Sequence, residues 1–174
     1  AREMLSRMTL MLENIPFFLQ PGCKAVNKGS LEFSNNSKVI AAATSASSIR
    51  GFSANIIMLD EFAFVERAAE FYASTYPVIS SGKTTKVIIV STPHGLNQFY
   101  KMWTDAVEQR SLYVPFEVHW SMVPGRDATW REETIRNTSE EQFRQEFETE
   151  FIGSSATLIP GAILKMLAFN NPVE

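Results

Sequence analysis

Cysteine is nearly absent from this sequence, and long apolar runs are absent altogether. The single cysteine, Cys23, excludes a disulfide framework and a cysteine-based zinc site, and such cysteine usage is typical of a reducing, intracellular setting. No apolar run approaches the roughly 18 residues that a membrane-spanning helix needs, and no signal peptide is visible. With 45 % apolar and 20 % charged residues, the composition is that of an ordinary globular domain with a core.

An excess of basic residues is also lacking. Lys and Arg number 16 against 19 Asp and Glu, so the net charge is −3 and simple electrostatic binding of nucleic acid is excluded for the chain as a whole. The two histidines, His94 and His119, are too far apart in sequence to give metal-site spacing. The first residue, Ala1, already belongs to a helical pattern, so we expect a fragment of a longer protein.

A phosphate-binding loop of the form Gly-x-x-x-x-Gly-Lys-[Ser/Thr] is not found anywhere in the sequence. The triplet Gly82-Lys83-Thr84 matches only its end, because the first glycine would have to stand where Pro77 stands. The triplet also precedes a predicted strand, whereas a phosphate loop follows a strand and opens a helix. We therefore reject it as a phosphate site.

Apolar periodicity predicts alternating strands and helices. The run Ile56–Leu59 shows no alternation, which is typical of a strand buried on both faces, and a similar run follows at 86–91. The other predicted strands form a hairpin around an Asn-rich turn within 28–41 and a further strand at 112–120. Helical patterns cover 1–19, 66–79 with a break near Pro77, 96–110, 129–137, 139–151 and 160–168. This order predicts an open α/β sheet.

Two acidic residues, Asp60 and Glu61, come directly after the first apolar strand. Ligands of open α/β sheets bind beyond the carboxyl ends of the strands, and adjacent carboxylates there repel unless a cation or hydrogen bonds compensate. In P-loop ATPases an Asp at this place helps to hold Mg²⁺, and an adjacent Glu can orient and deprotonate the attacking water. Asp60 is therefore a candidate Mg²⁺ and nucleotide ligand, and Glu61 a candidate catalytic base. The alternative is that both acids cap the next turn.

Ser91 and Thr92 follow the second apolar strand. Small hydroxyl residues at this place can hydrogen-bond a γ-phosphate or Glu61, and they can report the phosphate to moving parts. The alternative is a plain turn before Pro93. His94 follows Pro93 and is expected in the crevice beyond the same strand ends, either as polar lining or as a sensor.

Arg50 lies ten residues before Asp60, in a loop rich in Ser, Thr, Ala and Gly. Arginine is always charged and can stabilise a phosphoryl transition state, in cis or from a neighbouring subunit. A loop-surface arginine, or one that pairs with a core acid, is an equal alternative.

Several stretches, taken together and in order, carry a family resemblance: Pro21-Gly22, Asn27–Ser30, Arg50-Gly51, Ile56–Phe64, Pro77–Gly82, Ser91–Tyr100, Gln142–Glu146 and Gly153–Ser155. The combination resembles the ATPase region of the large terminase subunit of tailed bacteriophages, especially the T-even-like type. The resemblance covers roughly residues 20–168 of the sequence.

The resemblance implies a three-layer, RecA-like P-loop NTPase fold with a mainly parallel sheet flanked by helices and a β-hairpin insertion. The Walker A unit would be missing; about 1–125 would form the core, and about 126–174 a helical subdomain leading to an absent nuclease domain. ATP and Mg²⁺ are the implied cofactors of the complete protein. The implied nucleotide-binding residues are Asp60, which also holds Mg²⁺, Ser91 and Thr92; the implied catalytic residues are Glu61 and Arg50.

The implied activity is ATP-driven packaging of viral genomic DNA into the procapsid, in the cytoplasm of the host cell. The implied partners are double-stranded viral DNA, the portal protein, the small terminase subunit and further copies of the chain in a ring, with no membrane. Since the phosphate loop is missing, we expect no ATP hydrolysis by the isolated chain.

Three other functions compete with this interpretation. A superfamily 2 helicase-like translocase also pairs a strand-end Asp-Glu with a Ser/Thr motif, but it needs a second motor domain. A non-catalytic scaffold with the same fold would explain the missing phosphate loop. A nuclease metal site at Asp60 and Glu61 is disfavoured, because two-metal catalysis needs several convergent oxygen ligands.

Overall fold

The computed structural model describes residues 2–43, 53–82 and 84–153, and within these ranges it contains five α-helices and five β-strands. The fold is mixed α/β, with one antiparallel and one parallel sheet. The chain divides into two compact units. The first comprises residues 1–60 and 70–87, and the second comprises residues 61–69 and 88–174.

The first unit begins with helix α1 (Arg2–Asn14) and a three-stranded antiparallel sheet of β1 (Cys23–Val26), β2 (Ser30–Phe33) and β3 (Lys38–Ile40), in the order β1-β2-β3. Leu5 of α1 and Leu31 of β2 are buried. Asn36 has φ 67° in the turn between β2 and β3, a left-handed conformation that asparagine tolerates better than most residues. The predicted hairpin is confirmed, and β1 extends it by one strand that its sequence pattern did not reveal.

Strands β4 (Ile56–Leu59) and β5 (Lys86–Ile89) form the second sheet, and helix α2 (Ala68–Ser81) connects them. The Lys86 amide donates to the Asn55 carbonyl, and the Phe62 amide donates to the Val90 carbonyl. Residue numbers rise together along both strands, so the pair is parallel. The predicted strand–helix–strand order of an α/β sheet is therefore present.

The prediction that β4 is buried on both faces is wrong for the part of the chain that the structure describes. Ile57 and Leu59 are 7 % and 4 % exposed, but Ile56 and Met58 are 63 % and 46 % exposed. Successive side chains of a strand point to opposite faces, so one face of β4 is covered and the other is open. The sequence is apolar on both faces, which is why it reads as fully buried.

Helix α2 buries one face through Ala68, Phe71, Thr75 and Val78. It runs through Pro77 to Ser81, so the predicted break at that proline is wrong. Gly82 then ends the helix close to Thr85, and a Cβ at Gly82 would clash with the Thr85 hydroxyl. Gly82 and Thr84 thus lie between helix α2 and strand β5, whereas a phosphate loop follows a strand and opens a helix.

The second unit contains helices α3 (Gln98–Val107), α4 (Ala128–Asn137) and α5 (Glu140–Glu146). An aromatic cluster joins α4 and α5: Trp120, Trp130, Phe143 and Phe147 lie with ring centroids 5.2–6.0 Å apart. Arg126 lies 4.5 Å above the Trp130 ring, and Arg131 pairs with both Glu140 and Glu148. The cluster is the core of this helical part.

Two predictions for the second unit are wrong in detail. No strand forms within 112–120; the segment is irregular up to a 3-10 turn at Trp120–Met122, and Val114 and Phe116 are 90 % and 79 % exposed. The helix predicted for 139–151 ends at Glu146, and Phe151 lies beyond it. The predicted helix at 160–168 lies outside the described residues.

Among the helices that the structure describes, none is long and apolar enough to cross a membrane.

Candidate functional site

Asp60 belongs to the first unit and directly follows β4. Its side chain is exposed, and no hydrogen bond or ion pair to its carboxylate is found within the described ranges. The two buried residues of β4, Ile57 and Leu59, anchor the strand that presents it. The structure therefore places the first acid of the predicted pair at the end of an anchored strand, as the sequence predicts.

Glu61 opens the second unit in a strained backbone conformation. Its φ and ψ are 52° and 43°, in the left-handed region. For a residue with a Cβ this conformation costs roughly 1–2 kcal/mol, because the Cβ approaches the following carbonyl oxygen. Its side chain is exposed and, within the part of the chain that is described, has no hydrogen-bond or ion-pair partner.

The loop after β5 holds the turn that follows Glu61. The Phe62 amide donates to the Val90 carbonyl at 3.2 Å, and the Ala63 amide donates to the Ser91 hydroxyl at 3.0 Å. Phe62 and Ala63 are themselves 0 % and 4 % exposed. These bonds fix the backbone immediately after Glu61, so the strained conformation is imposed by its surroundings.

Ser91 and Thr92 differ in what their hydroxyl groups do. The Ser91 hydroxyl accepts from Ala63 and donates to the Thr92 carbonyl at 2.9 Å, so its single proton is already used within the protein. The Thr92 hydroxyl has no hydrogen-bond partner among the described residues. Of the two predicted ligands, Thr92 is therefore the one whose hydroxyl proton is available to a bound molecule.

Asn97 joins the same turn to helix α3. Its side-chain amide nitrogen donates to the Ala63 carbonyl at 2.6 Å and to the His94 carbonyl at 2.8 Å. Its side-chain oxygen caps α3 by accepting from the amides of Phe99 and Tyr100. Asn97 is not among the predicted site residues, although an Asn directly before a helical pattern is a recognisable N-cap signal.

His94 stacks on Phe64, with ring centroids 4.5 Å apart and an interplanar angle of 29°. The stack connects the turn after Glu61 to the loop after β5, next to the hydrogen bonds of Ser91 and Asn97. This contact gives His94 a packing role, in line with the alternative that it lines the site. The sensor role stays a prediction.

The side chains of Asp60 and Glu61, each taken by itself, are of the chemical type that binds Mg²⁺. Each carboxylate is exposed and has no ion-pair partner among the described residues. Mg²⁺ prefers such oxygen ligands, completed by water and phosphates. No group of three or more His, Cys, Asp or Glu side chains that could hold a metal is found in the described part. Arg50, the predicted catalytic arginine, lies outside the described residues.

A comparison with known protein families assigns the class. Residues 1–166 match the family described as the N-terminal part of the large terminase subunit of T4-like viruses. The match spans nearly the whole sequence, so the chain belongs to this family, and this membership connects it to the packaging of phage DNA.

Proposed function

We propose that this chain supplies the strand-end acids Asp60 and Glu61 and the hydroxyl residues Ser91 and Thr92 of an ATP-driven motor that packages phage DNA into the procapsid. One observation carries the proposal: two exposed acids, adjacent in sequence and without an ion-pair partner among the described residues, follow an anchored strand, and the backbone of the second is held in a strained conformation. Strain of this kind persists where surrounding structure imposes it, which is common at active sites. Membership in the terminase family supports the same function.

In this proposal Asp60 is the Walker B acid that holds Mg²⁺, and Glu61 is the base that orients and deprotonates the attacking water. When bound, Mg²⁺ would partly neutralise the negative charge of the ATP phosphates. Thr92 offers its free hydroxyl to the nucleotide, whereas Ser91 fixes the turn that carries Glu61. Arg50 is retained as a candidate for stabilising the transition state, in cis or across a subunit boundary.

The wider setting is also part of the proposal. The three-layer, RecA-like fold would be completed by a phosphate-binding loop, with 1–125 as core and 126–174 as a helical subdomain before a nuclease domain. Its partners would be double-stranded DNA, the portal protein, the small terminase subunit and further copies of the chain in a ring, in the host cytoplasm. This sequence has no phosphate-binding loop. We therefore expect that the isolated chain does not bind ATP tightly and does not hydrolyse it.

The test compares two variants in a large terminase subunit that contains this region and a phosphate-binding loop. Glu61→Gln should reduce the kcat of ATP hydrolysis by at least about 100-fold, since general base catalysis contributes about 10²–10⁴-fold. It should leave ATP affinity within about twofold, because a neutral isostere preserves the shape of the site. Asp60→Asn should instead weaken Mg²⁺-dependent ATP binding.

Glu66→Gln is the matched control, since Glu66 is also an exposed acid of the same loop region. It should leave both kcat and affinity unchanged. Full activity of the Glu61→Gln variant would rule out the proposed catalytic base. Equal losses in the Glu61→Gln and Glu66→Gln variants would show a general charge effect instead.

A further inference from the structure

The backbone of Glu61 needs an external restraint, because residues other than glycine seldom keep a left-handed conformation by themselves. The two bonds from Phe62 and Ala63 to the loop after β5 hold the backbone amides of this turn. Inside the turn, the Phe64 amide donates to the Glu61 carbonyl at 3.0 Å and the Val65 amide donates to the Phe62 carbonyl at 3.2 Å. The Ala63 carbonyl is instead held from outside the turn. It accepts a hydrogen bond from the Asn97 side chain at 2.6 Å.

The orientation of the Asn97 amide follows from its four partners. Two are backbone N–H groups, of Phe99 and Tyr100, which require an acceptor. The other two are the carbonyl oxygens of Ala63 and His94, which require a donor. A flipped amide would face donors with its NH₂ and acceptors with its oxygen, so only the observed orientation satisfies all four groups.

We propose that Asn97 is a positioning residue for Glu61, which sets the geometry of the reaction without touching the substrate. Its amide nitrogen holds the Ala63 carbonyl, and its oxygen anchors that restraint to the first turn of α3. Rotation of Glu61 out of the left-handed region would displace Ala63 and break this bond. The inference rests on the proposed function, in which Glu61 is the catalytic base.

The same residue connects the turn to a helix with contacts of its own. Phe99, Tyr100 and Trp103 of α3 surround Phe151, with ring centroids 5.1–6.5 Å from it. A shift of α3 along its axis would therefore move the Asn97 cap and the Ala63 carbonyl together. Asn97 thereby makes the position of Glu61 depend on the position of α3.

Two substitutions separate the restraint from the helix cap. Asn97→Asp keeps an oxygen for the amides of Phe99 and Tyr100, since Asp and Asn are equally good N-caps. It replaces the donor by a second oxygen that faces the carbonyls of Ala63 and His94. Asn97→Ser also keeps a cap but lacks a group long enough to reach the Ala63 carbonyl.

Hydrogen exchange on the full chain gives the first readout. In both variants the peptide that covers residues 61–66 should exchange faster than in the wild type, while the peptide that covers α3 keeps its protection. Asp127→Asn is the matched control, because Asp127 caps α4 through the Trp130 amide alone. It should leave exchange at 61–66 unchanged. Unchanged exchange at 61–66 in both Asn97 variants would overturn the inference.

ATP hydrolysis by a large terminase subunit that contains this region gives the second readout. Both Asn97 variants should reduce kcat by about 10- to 100-fold, the effect typical of a misplaced catalytic group, with KM for ATP within about twofold. A raised KM with normal kcat would contradict a positioning role. Faster exchange at 61–66 together with an unimpaired Glu61→Gln variant would instead refute the proposed function and leave the restraint standing.

Discussion

Phe143 provides the sharpest test of the helical part of the second unit. Its side chain is 0 % exposed and contacts the rings of Trp120, Trp130 and Phe147. Replacing a fully buried Phe by Ala typically costs 3–5 kcal/mol, which combines lost burial with the cavity left behind. We therefore expect Phe143→Ala to lower the free energy of unfolding by about 3–5 kcal/mol, a large share of the 5–15 kcal/mol typical of a domain.

The assay is urea unfolding followed by tryptophan fluorescence, because Trp120 and Trp130 lie against Phe143. Phe116→Ala is the matched control: it deletes the same atoms from a side chain that is 79 % exposed. The control should change stability by no more than about 0.5 kcal/mol. A loss below about 1 kcal/mol for Phe143→Ala, or equal losses for both variants, would refute the assignment of the aromatic cluster as a core.

Three further predictions concern the loop after β5, the missing phosphate-binding loop and the hairpin. Ser91→Ala leaves the Ala63 amide without its partner and should cost about 1–3 kcal/mol in urea unfolding; Ser74→Ala, whose hydroxyl only bonds its own helix, should cost less than about 0.5 kcal/mol. The isolated chain should show no ATP turnover above background in a phosphate-release assay, and turnover typical of P-loop ATPases would contradict this. Asn36→Val should cost roughly 1–2 kcal/mol because of its positive φ, while Asn36→Gly should be nearly neutral; equal losses would contradict the strain argument.

Much of the fold follows from local patterns in the sequence. The four-residue spacing of Phe143 and Phe147 predicts a helix face. Ser139, followed three residues later by Gln142, is typical of a helix N-cap, and the Ser139 hydroxyl accepts a hydrogen bond from the Gln142 backbone amide. Phe151 continues that spacing, yet it packs on α3 because the helix has already ended. The segment 112–120 has the composition of a strand, but strand formation depends on a neighbouring edge, which periodicity alone does not reveal.

The candidate site was predictable in its residue types but not in its connections. An apolar run that ends in Asp60 and Glu61 identifies the strand end from sequence alone. The hydrogen bond from the Ala63 amide to the Ser91 hydroxyl joins residues 28 positions apart, and no local pattern encodes such a pairing. The left-handed backbone of Glu61 was likewise not predictable from its neighbours in the sequence. Asn97 was recognisable as a helix cap, but its bond to Ala63 spans 34 positions and became visible only in three dimensions.

Single-turnover hydrolysis of ATP already bound to a large terminase subunit that contains this region tests the central claim most directly. The experiment separates chemistry from binding, because all ATP starts on the protein together with Mg²⁺. The proposal predicts that the wild type hydrolyses the bound ATP, whereas the Glu61→Gln variant retains it intact at a rate lower by at least about 100-fold. Hydrolysis of bound ATP at the wild-type rate by the variant would contradict the assignment of Glu61 as the catalytic base.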